Sequence, residues 1–373
     1  MKEVYIKIYD TAGNLTRVLY EFIFSEFTES LNGGLGYCSI QIPEKFDSFG
    51  LGTTIDKDYG VKIVINDREG EVTVYSGRIE EIEAGVDDRE SVILHCHGYI
   101  AELALNLHES AQKIKFTYSQ WEITDIIKDI LDKHTASQTG AKVDYAAGST
   151  SDTAKDITIK FFASTVLDAL LGVIQKADSD WFFRVGADNV FYFDEISATP
   201  THLFMVGRDV GALNILDSNQ KKITRYLFFN GLPDEDPLKI AKVYSSGDAD
   251  RRFKIERDDR VTVSTTADEQ GARYIDTYGN GLQTVDAIII DSNLGGGYDI
   301  ESINVGDTCK FINVETNSPL PENGIITSKV YNPNFLQISV ADARQYVAKM
   351  LIEQKQRQAL VEFGEELPLS YTT

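Results

Sequence analysis

The chain has 373 residues, 42% hydrophobic and 10% aromatic, with 36 Lys and Arg against 58 Asp and Glu, a formal charge of −22. Length predicts two to three domains of about 100–150 residues each, and the charge excludes the basic stripe of a nucleic-acid binder. No run approaches the roughly 20 apolar residues of a bilayer span, Met1-Lys2-Glu3-Val4-Tyr5-Ile6 has no secretory core, and Cys38, Cys96 and Cys309 are too few, and odd in number, for a disulfide framework. The expectation is a soluble, cytoplasmically made chain with packing cysteines, no membrane insertion, no cofactor and no bound metal.

Residues 1–105 read almost wholly as β. Val4-Tyr5-Ile6-Lys7-Ile8-Tyr9, residues 16–22, Tyr37-Cys38-Ser39-Ile40-Gln41-Ile42, Val61-Lys62-Ile63-Val64-Ile65-Asn66, Val72-Thr73-Val74-Tyr75 and Val92-Ile93-Leu94 alternate in polarity between turns such as Asp10-Thr11-Ala12-Gly13-Asn14, as in a barrel or sandwich. From 106 to 200 the period changes. Ser119 and Glu122 have capping-box spacing before a helix with Ile123, Ile126, Ile127, Ile130 and Leu131 on one face, ending near His134. Strand 157–161 leads to a second helix capped by Thr165, with Val166, Leu167, Leu170, Leu171 and Ile174 as its stripe up to about Ala177. An aromatic hairpin, Trp181-Phe182-Phe183-Arg184-Val185 and Val190-Phe191-Tyr192-Phe193, completes a small α+β domain with a polar loop over 140–155.

The β pattern resumes over 201–340, with strands at 223–229 and 287–290, a polar loop at 231–237 and a short helix over 266–279. Residues 342–363 read as a helix with an interrupted stripe. Within this part the opening hairpin returns. Asn66 precedes Gly77 by 11 positions and Asn313 precedes Gly324 by 11, with 313 − 66 = 324 − 77 = 247. Two ordinary hairpins can coincide in this way, and two related β-domains flanking an insert would produce it too.

Sites of chemistry are scarce. On a strand, His95 and His97 share one face and Cys96 the other, so the three cannot converge on an ion. The glycines of 33–36 and 295–297 lack the following helix that a phosphate cradle needs and read as turns. Adjacent acids such as Glu80 with Glu81, Asp87 with Asp88 and Asp258 with Asp259 do not span a glycosidase cleft, and there is no Gly-x-Ser-x-Gly elbow. The aromatic hairpin serves either as a sugar platform or as the surface on which the 166–174 helix packs.

In order and spacing the chain resembles the baseplate-hub or tail-tip hub proteins of tailed bacteriophages and related contractile injection machines. The resemblance rests on the 61–98 module with Gly77-Arg78-Ile79-Glu80, on the helix and aromatic hairpin over 165–193, and on Tyr298-Asp299-Ile300-Glu301-Ser302-Ile303-Asn304-Val305-Gly306-Asp307. It implies a mainly β fold with an α+β insert. Two tube-type β-barrels (1–105 and 201–340) would flank the α+β domain (106–200), followed by a C-terminal helix and tail (341–373). It further implies a non-enzymatic homotrimer at the virion tail tip or baseplate. Such a hub joins the hexameric tail tube or distal tail protein to a separate spike, plug or fibre protein, while tape-measure protein and DNA pass through without specific binding. A tail-carried cell-wall hydrolase and a carbohydrate-binding adhesin are the alternatives. For a passing polyanion an acidic channel wall is expected, with Glu80, Glu81, Glu83, Asp299 and Glu301 as its lining.

Overall fold

The computed structural model describes residues 2–43, 55–66, 70–86, 90–109, 114–138, 140–174, 176–177, 180–218, 222–230, 240–247, 252–257, 264, 268, 271–272, 275, 282–290, 298–313, 324–332 and 335–342. The chain is mainly β with an α+β insert. Its first strands are β1 (Glu3–Tyr9), β2 (Leu15–Leu19), β3 (Ile23–Phe24), β4 (Phe27–Ser30), β5 (Gly33–Gly34), β6 (Tyr37–Ile42), β7 (Gly60–Asn66), β8 (Glu71–Val86) and β9 (Glu90–Gly98). Seven of them form one curled sheet in the order β2-β1-β7-β8-β9-β6-β3, with every ladder antiparallel. The period-2 alternation sends Ile6, Ile8, Ile40, Val61, Ile63, Ile79 and Leu94 to the buried face. Cys38 and Cys96, paired across β6 and β9, are buried with them, and burial raises both thiols, Cys38 to about 12.

The insert contains α1 (Ile100–Leu105), β10 (Lys115–Glu122), α2 (Ile123–Ser137), β11 (Asp156–Phe162), α3 (Val166–Ile174), β12 (Trp181–Val185) and β13 (Phe191–Glu195). Ile123, Ile126, Ile127, Ile130 and Leu131 are all buried, as their spacing requires. The capping box at Ser119 does not form. β10 runs on to Glu122, whose own carboxylate accepts the backbone N–H groups of Thr124 (2.6 Å) and Asp125 (3.1 Å), because pairing with β11 continues to the Glu122–Asp156 register. Thr165 does cap α3, accepting from the Asp168 N–H at 3.1 Å. Phe183, Phe191 and Phe193 join Val166, Leu170, Val173 and Ile174 in one core, so the aromatic hairpin is packing surface and offers no sugar platform on that face.

The remaining strands are β14 (His202–Met205), β15 (Val210–Ser218), β16 (Arg225–Asn230), β17 (Ile240–Ser245), β18 (Phe253–Arg257), β19 (Leu282–Ile290), β20 (Thr308–Ile312), β21 (Gly324–Asn332) and β22 (Phe335–Asp342). A second large sheet has the path β14-β20-β21-β22-β19-β15, and β17-β16-β18 form a separate small sheet. The chain divides into two compact units. The first comprises 1–213, 286–315 and 325–340; the second comprises 214–285, 316–324 and 341–373, with the β17-β16-β18 sheet as its described framework. The expected helix over 342–363 begins at the last residue of β22 and otherwise lies outside the described residues, as do the 231–237 loop, the 295–297 glycines and most of 266–279. Among the described residues no helix is long and apolar enough to cross a membrane.

The two large sheets share one plan. Taken in chain order, β1, β3, β6, β7, β8 and β9 stand to one another as β14, β15, β19, β20, β21 and β22 do. The spatial order is first-fourth-fifth-sixth-third-second in both, with β2 added beside β1. The first ladder of this order differs in direction, since β1 runs antiparallel to β7 and β14 parallel to β20.

Residues 27–34 knit the first unit together. β4 pairs antiparallel with β21, matching Ser30 to Ser328 and Phe27 to Tyr331, and β5 pairs in parallel with β12. The Gly33-Gly34 pair is therefore ladder, not turn, because the preceding Asn32 takes φ 52° and turns the chain onto β12. Phe27 is 1% exposed, with its ring centroid 5.0 Å from Tyr75 and 5.2 Å from Tyr331. Beside it the Glu29 carboxylate, 3% exposed, meets the Lys329 ammonium at 2.7 Å, and Lys329 also donates to the Ile303 carbonyl at 3.0 Å. Removing one member of a buried pair strands the other charge, whereas replacing both with apolar groups of similar volume relieves the desolvation cost. Lys329→Met should lower unfolding free energy by about 3–5 kcal/mol. The double substitution Glu29→Leu with Lys329→Met should recover most of that loss, read from urea denaturation.

Candidate functional site: acid-bearing segments of the two sheets

β8 carries Glu80, Glu81 and Glu83. Its pairing with β9 slips between Ile79, opposite Cys96, and Glu81, opposite His95, which makes Glu80 the extra residue of a β-bulge. Arg78 grips Glu80 through Nε at 2.9 Å and Nη2 at 2.6 Å. Glu83 faces His95, with Oε2 3.2 Å from Nε2, and the other ring nitrogen of His95 lies 2.5 Å from the Tyr37 hydroxyl. His95 and His97 flank Tyr37 on this face while Cys96 is buried on the opposite one. Among the described residues no group of three or more His, Cys, Asp and Glu side chains could hold a metal ion. Glu81 is exposed.

Asp299 and Glu301 lie before β20 and do different work. Asp299 caps a one-turn 3₁₀ helix (Ile300–Ser302) by accepting the Glu301 N–H at 3.1 Å. The Glu301 side chain, 3% exposed, meets the Lys2 ammonium at 2.7 Å and accepts the Tyr331 hydroxyl at 2.7 Å. Burial raises its pKa, against the opposing pull of Lys2 and Tyr331. Glu301 is thus a structural anchor between the N-terminus and β21, and Lys2, 299 residues away, has no local signal that could have exposed it. Glu80, Glu81 and Glu83 are brought together on one strand, and Asp299 and Glu301 on one turn. After that turn, Asp307 lies 2.9 Å from His202 Nε2, whose Nδ1 lies 2.5 Å from the Tyr298 hydroxyl.

The two segments enter their sheets by the same hydrogen-bond pattern. Asp58 N–H donates to the Ile79 carbonyl (2.8 Å) and Ile79 N–H to the Tyr59 carbonyl (2.9 Å); Gly306 N–H donates to the Ile326 carbonyl (2.9 Å) and Ile326 N–H to the Asp307 carbonyl (2.9 Å). Asp58 at φ 66° and Gly306 at φ 94° both occupy the left-handed region that turns the chain into the strand. Ile79 and Ile326 are again 326 − 79 = 247 apart, so the hydrogen bonds place Gly77 and Gly324 at equivalent positions. Gly77 cannot carry a side chain without movement, since a Cβ there would lie 2.5 Å from the His97 carbonyl oxygen. At the same spacing Glu80, Glu81 and Glu83 correspond to Thr327, Ser328 and Val330, so the β8 acids belong to the first sheet alone.

No family model matches this sequence, and no curated protein matches it. Solved structures do match in fold. The 43 kDa tail protein of prophage MuSo2 from Shewanella oneidensis aligns at a TM-score of 0.69 and 12% identity, over 92% of this chain and 99% of that one. A tail protein from Neisseria meningitidis MC58 aligns at 0.61 and 11% identity, over 93% and 98%. Prophage tail protein gp18 from Listeria monocytogenes EGD-e aligns at 0.57 and 9% identity, over 95% and 98%. The chain therefore has, along nearly its whole length, the fold of prophage tail proteins.

Proposed function

We propose that this chain is the structural hub of a phage tail tip or baseplate. It acts without enzymatic turnover as a homotrimeric ring between a hexameric tail tube and a distal spike, plug or fibre. The observation that carries this reading is the recurrence of one six-strand order in two sheets of one chain. A ring that must meet a sixfold partner with three copies needs two equivalent modules per copy, and a chain with that duplication removes the symmetry mismatch. The similarity in fold to prophage tail proteins supports the setting. In this reading 1–105 and 201–340 are the tube-type domains, 106–200 is the α+β domain and 341–373 the C-terminal segment.

Edge strands give a physical reason for association. Leu15 on β2 is 52% exposed and Ile23 on β3 is 70% exposed, at the two ends of the first sheet, where unpaired backbone groups also invite a partner strand. An obligate interface of this kind buries about 2,000–5,000 Å². Sedimentation equilibrium at micromolar concentration should give one species at three times 41.6 kDa. A stable folded monomer would contradict the hub.

Glu80, Glu81 and Glu83 are the residues we assign to the channel wall, with Asp299 beside them in sequence role and Glu301 confined to its buried pairing. A passing duplex carries one negative charge per about 1.7 Å, so a basic wall would hold it by counterion release and an acidic wall lets it slide. Charge reversal of the three β8 acids to Lys should leave the trimer intact and slow DNA delivery in a particle assay. Unchanged delivery would remove them from the wall.

A further inference from the structure

The α+β insert carries a concavity of about 590 Å³ that the hub reading does not use. It is open to solvent and is lined by Trp121, Tyr145, Asp125, Asp129, Asp132 and Asp156, among others. Trp121 comes from the end of β10, where the pairing with β11 slips between Tyr118 and Trp121, and its ring packs edge-on to Tyr118 at 5.4 Å between centroids. Tyr118 is 4% exposed, but the larger Trp121 remains 45% exposed within the hollow. A tryptophan left in contact with water inside a concave site costs apolar burial that the adjacent core could have supplied.

The polar groups around that ring decide what it would accept. The lining has five carboxylates and one ammonium, that of Lys128. Glu122 is committed to the α2 cap, Asp129 accepts from Tyr118 and pairs with Lys133, and Asp132 accepts the Tyr145 hydroxyl at 3.1 Å. Asp125 and Asp156 have no ion-pair partner among the described residues. An exposed indole face attracts a cation through its quadrupole, and uncompensated carboxylates beside it add attraction of the same sign. A neutral saccharide would gain stacking but nothing from the charge surplus, and a nucleic acid would be repelled.

We propose that this groove binds a lysine- or arginine-bearing peptide segment, with its cationic head over the Trp121 ring and among Asp125, Asp132 and Asp156. The site stands on the insert alone and holds whether or not the chain is a hub. Trp121 and Trp181 are the chain's two tryptophans, so a Trp181→Phe background makes Trp121 the sole reporter. Titrating that full-length protein with hexa-arginine at about 0.15 M salt, where long-range attraction is screened, should give a saturable change in indole fluorescence. Calorimetry on otherwise native protein should show binding weakened about tenfold or more by Trp121→Ala and by Asp125→Asn with Asp156→Asn, and largely retained by Trp121→Phe. Glu3→Gln with Glu21→Gln, the same charge change elsewhere on the surface, should leave it unaltered. Equal affinity for Trp121→Ala and native protein would overturn the proposal, as would equal losses from the two double substitutions, since either outcome means diffuse attraction to an acidic chain. Quenching of Trp121 by chitohexaose and not by hexa-arginine would overturn it in favour of a saccharide.

Discussion

Residues 27–34 cannot complete their backbone hydrogen bonds unless two distant parts of the chain are already beside them. β4 uses β21, about 300 residues on, and β5 uses β12. Between the two, Leu31 N–H donates to the Thr327 carbonyl and Asn32 exchanges hydrogen bonds with the backbone of Phe183, each at 2.9 Å. A buried N–H or carbonyl without a partner costs free energy of the order of a lost hydrogen bond, so this short stretch makes the first sheet, the insert and the second sheet mutually dependent. Phe27 and the Glu29–Lys329 pair fill the space where they meet. Contacts of such sequence separation slow folding, because the loops must close before any pairing rewards them.

That constraint also explains which parts of the fold were legible in the sequence. Strands and helices whose apolar residues face one core, such as α2 with its five isoleucine and leucine positions, carry their own pattern and were read correctly. β4 was not, because its inward positions are Phe27 and Glu29, and a carboxylate at an inward position reads as a solvated turn until its lysine is known. β17 and β18 escaped notice for a similar reason, with Lys242, Lys254 and Arg257 breaking short apolar runs. Ser119 and Glu122 have the spacing of a capping box, yet β10 runs on past an irregularity at Ser119 and Gln120 and pairs with β11 as far as Glu122, which gives the cap to Glu122 itself.

The candidate acids divide along the same line. Glu80, Glu81 and Glu83 were visible as a cluster on an alternating strand, and the bulge at Glu80 keeps them with Arg78 and His95 on the face away from the core. Glu301 belongs to the interior, because Lys2 from the N-terminus and Tyr331 from β21 converge on it. The 247-residue repeat was legible as the equal Asn66–Gly77 and Asn313–Gly324 spacings, and at Gly77 a β-carbon has no room. The groove at Trp121 was hidden by the capping-box reading of that stretch, although a tryptophan flanked by polar residues at the end of a strand was its available signal.

The proposed hub rests on two modules of one strand order in one chain, which would let a threefold assembly present a sixfold face. Electron micrographs of the purified assembly viewed down its axis test this most directly. The account predicts a closed ring of six near-equal lobes whose averaged images retain only threefold symmetry, the two sheets of each chain alternating around it. A ring with three lobes, or with true sixfold symmetry from six chains, would contradict it.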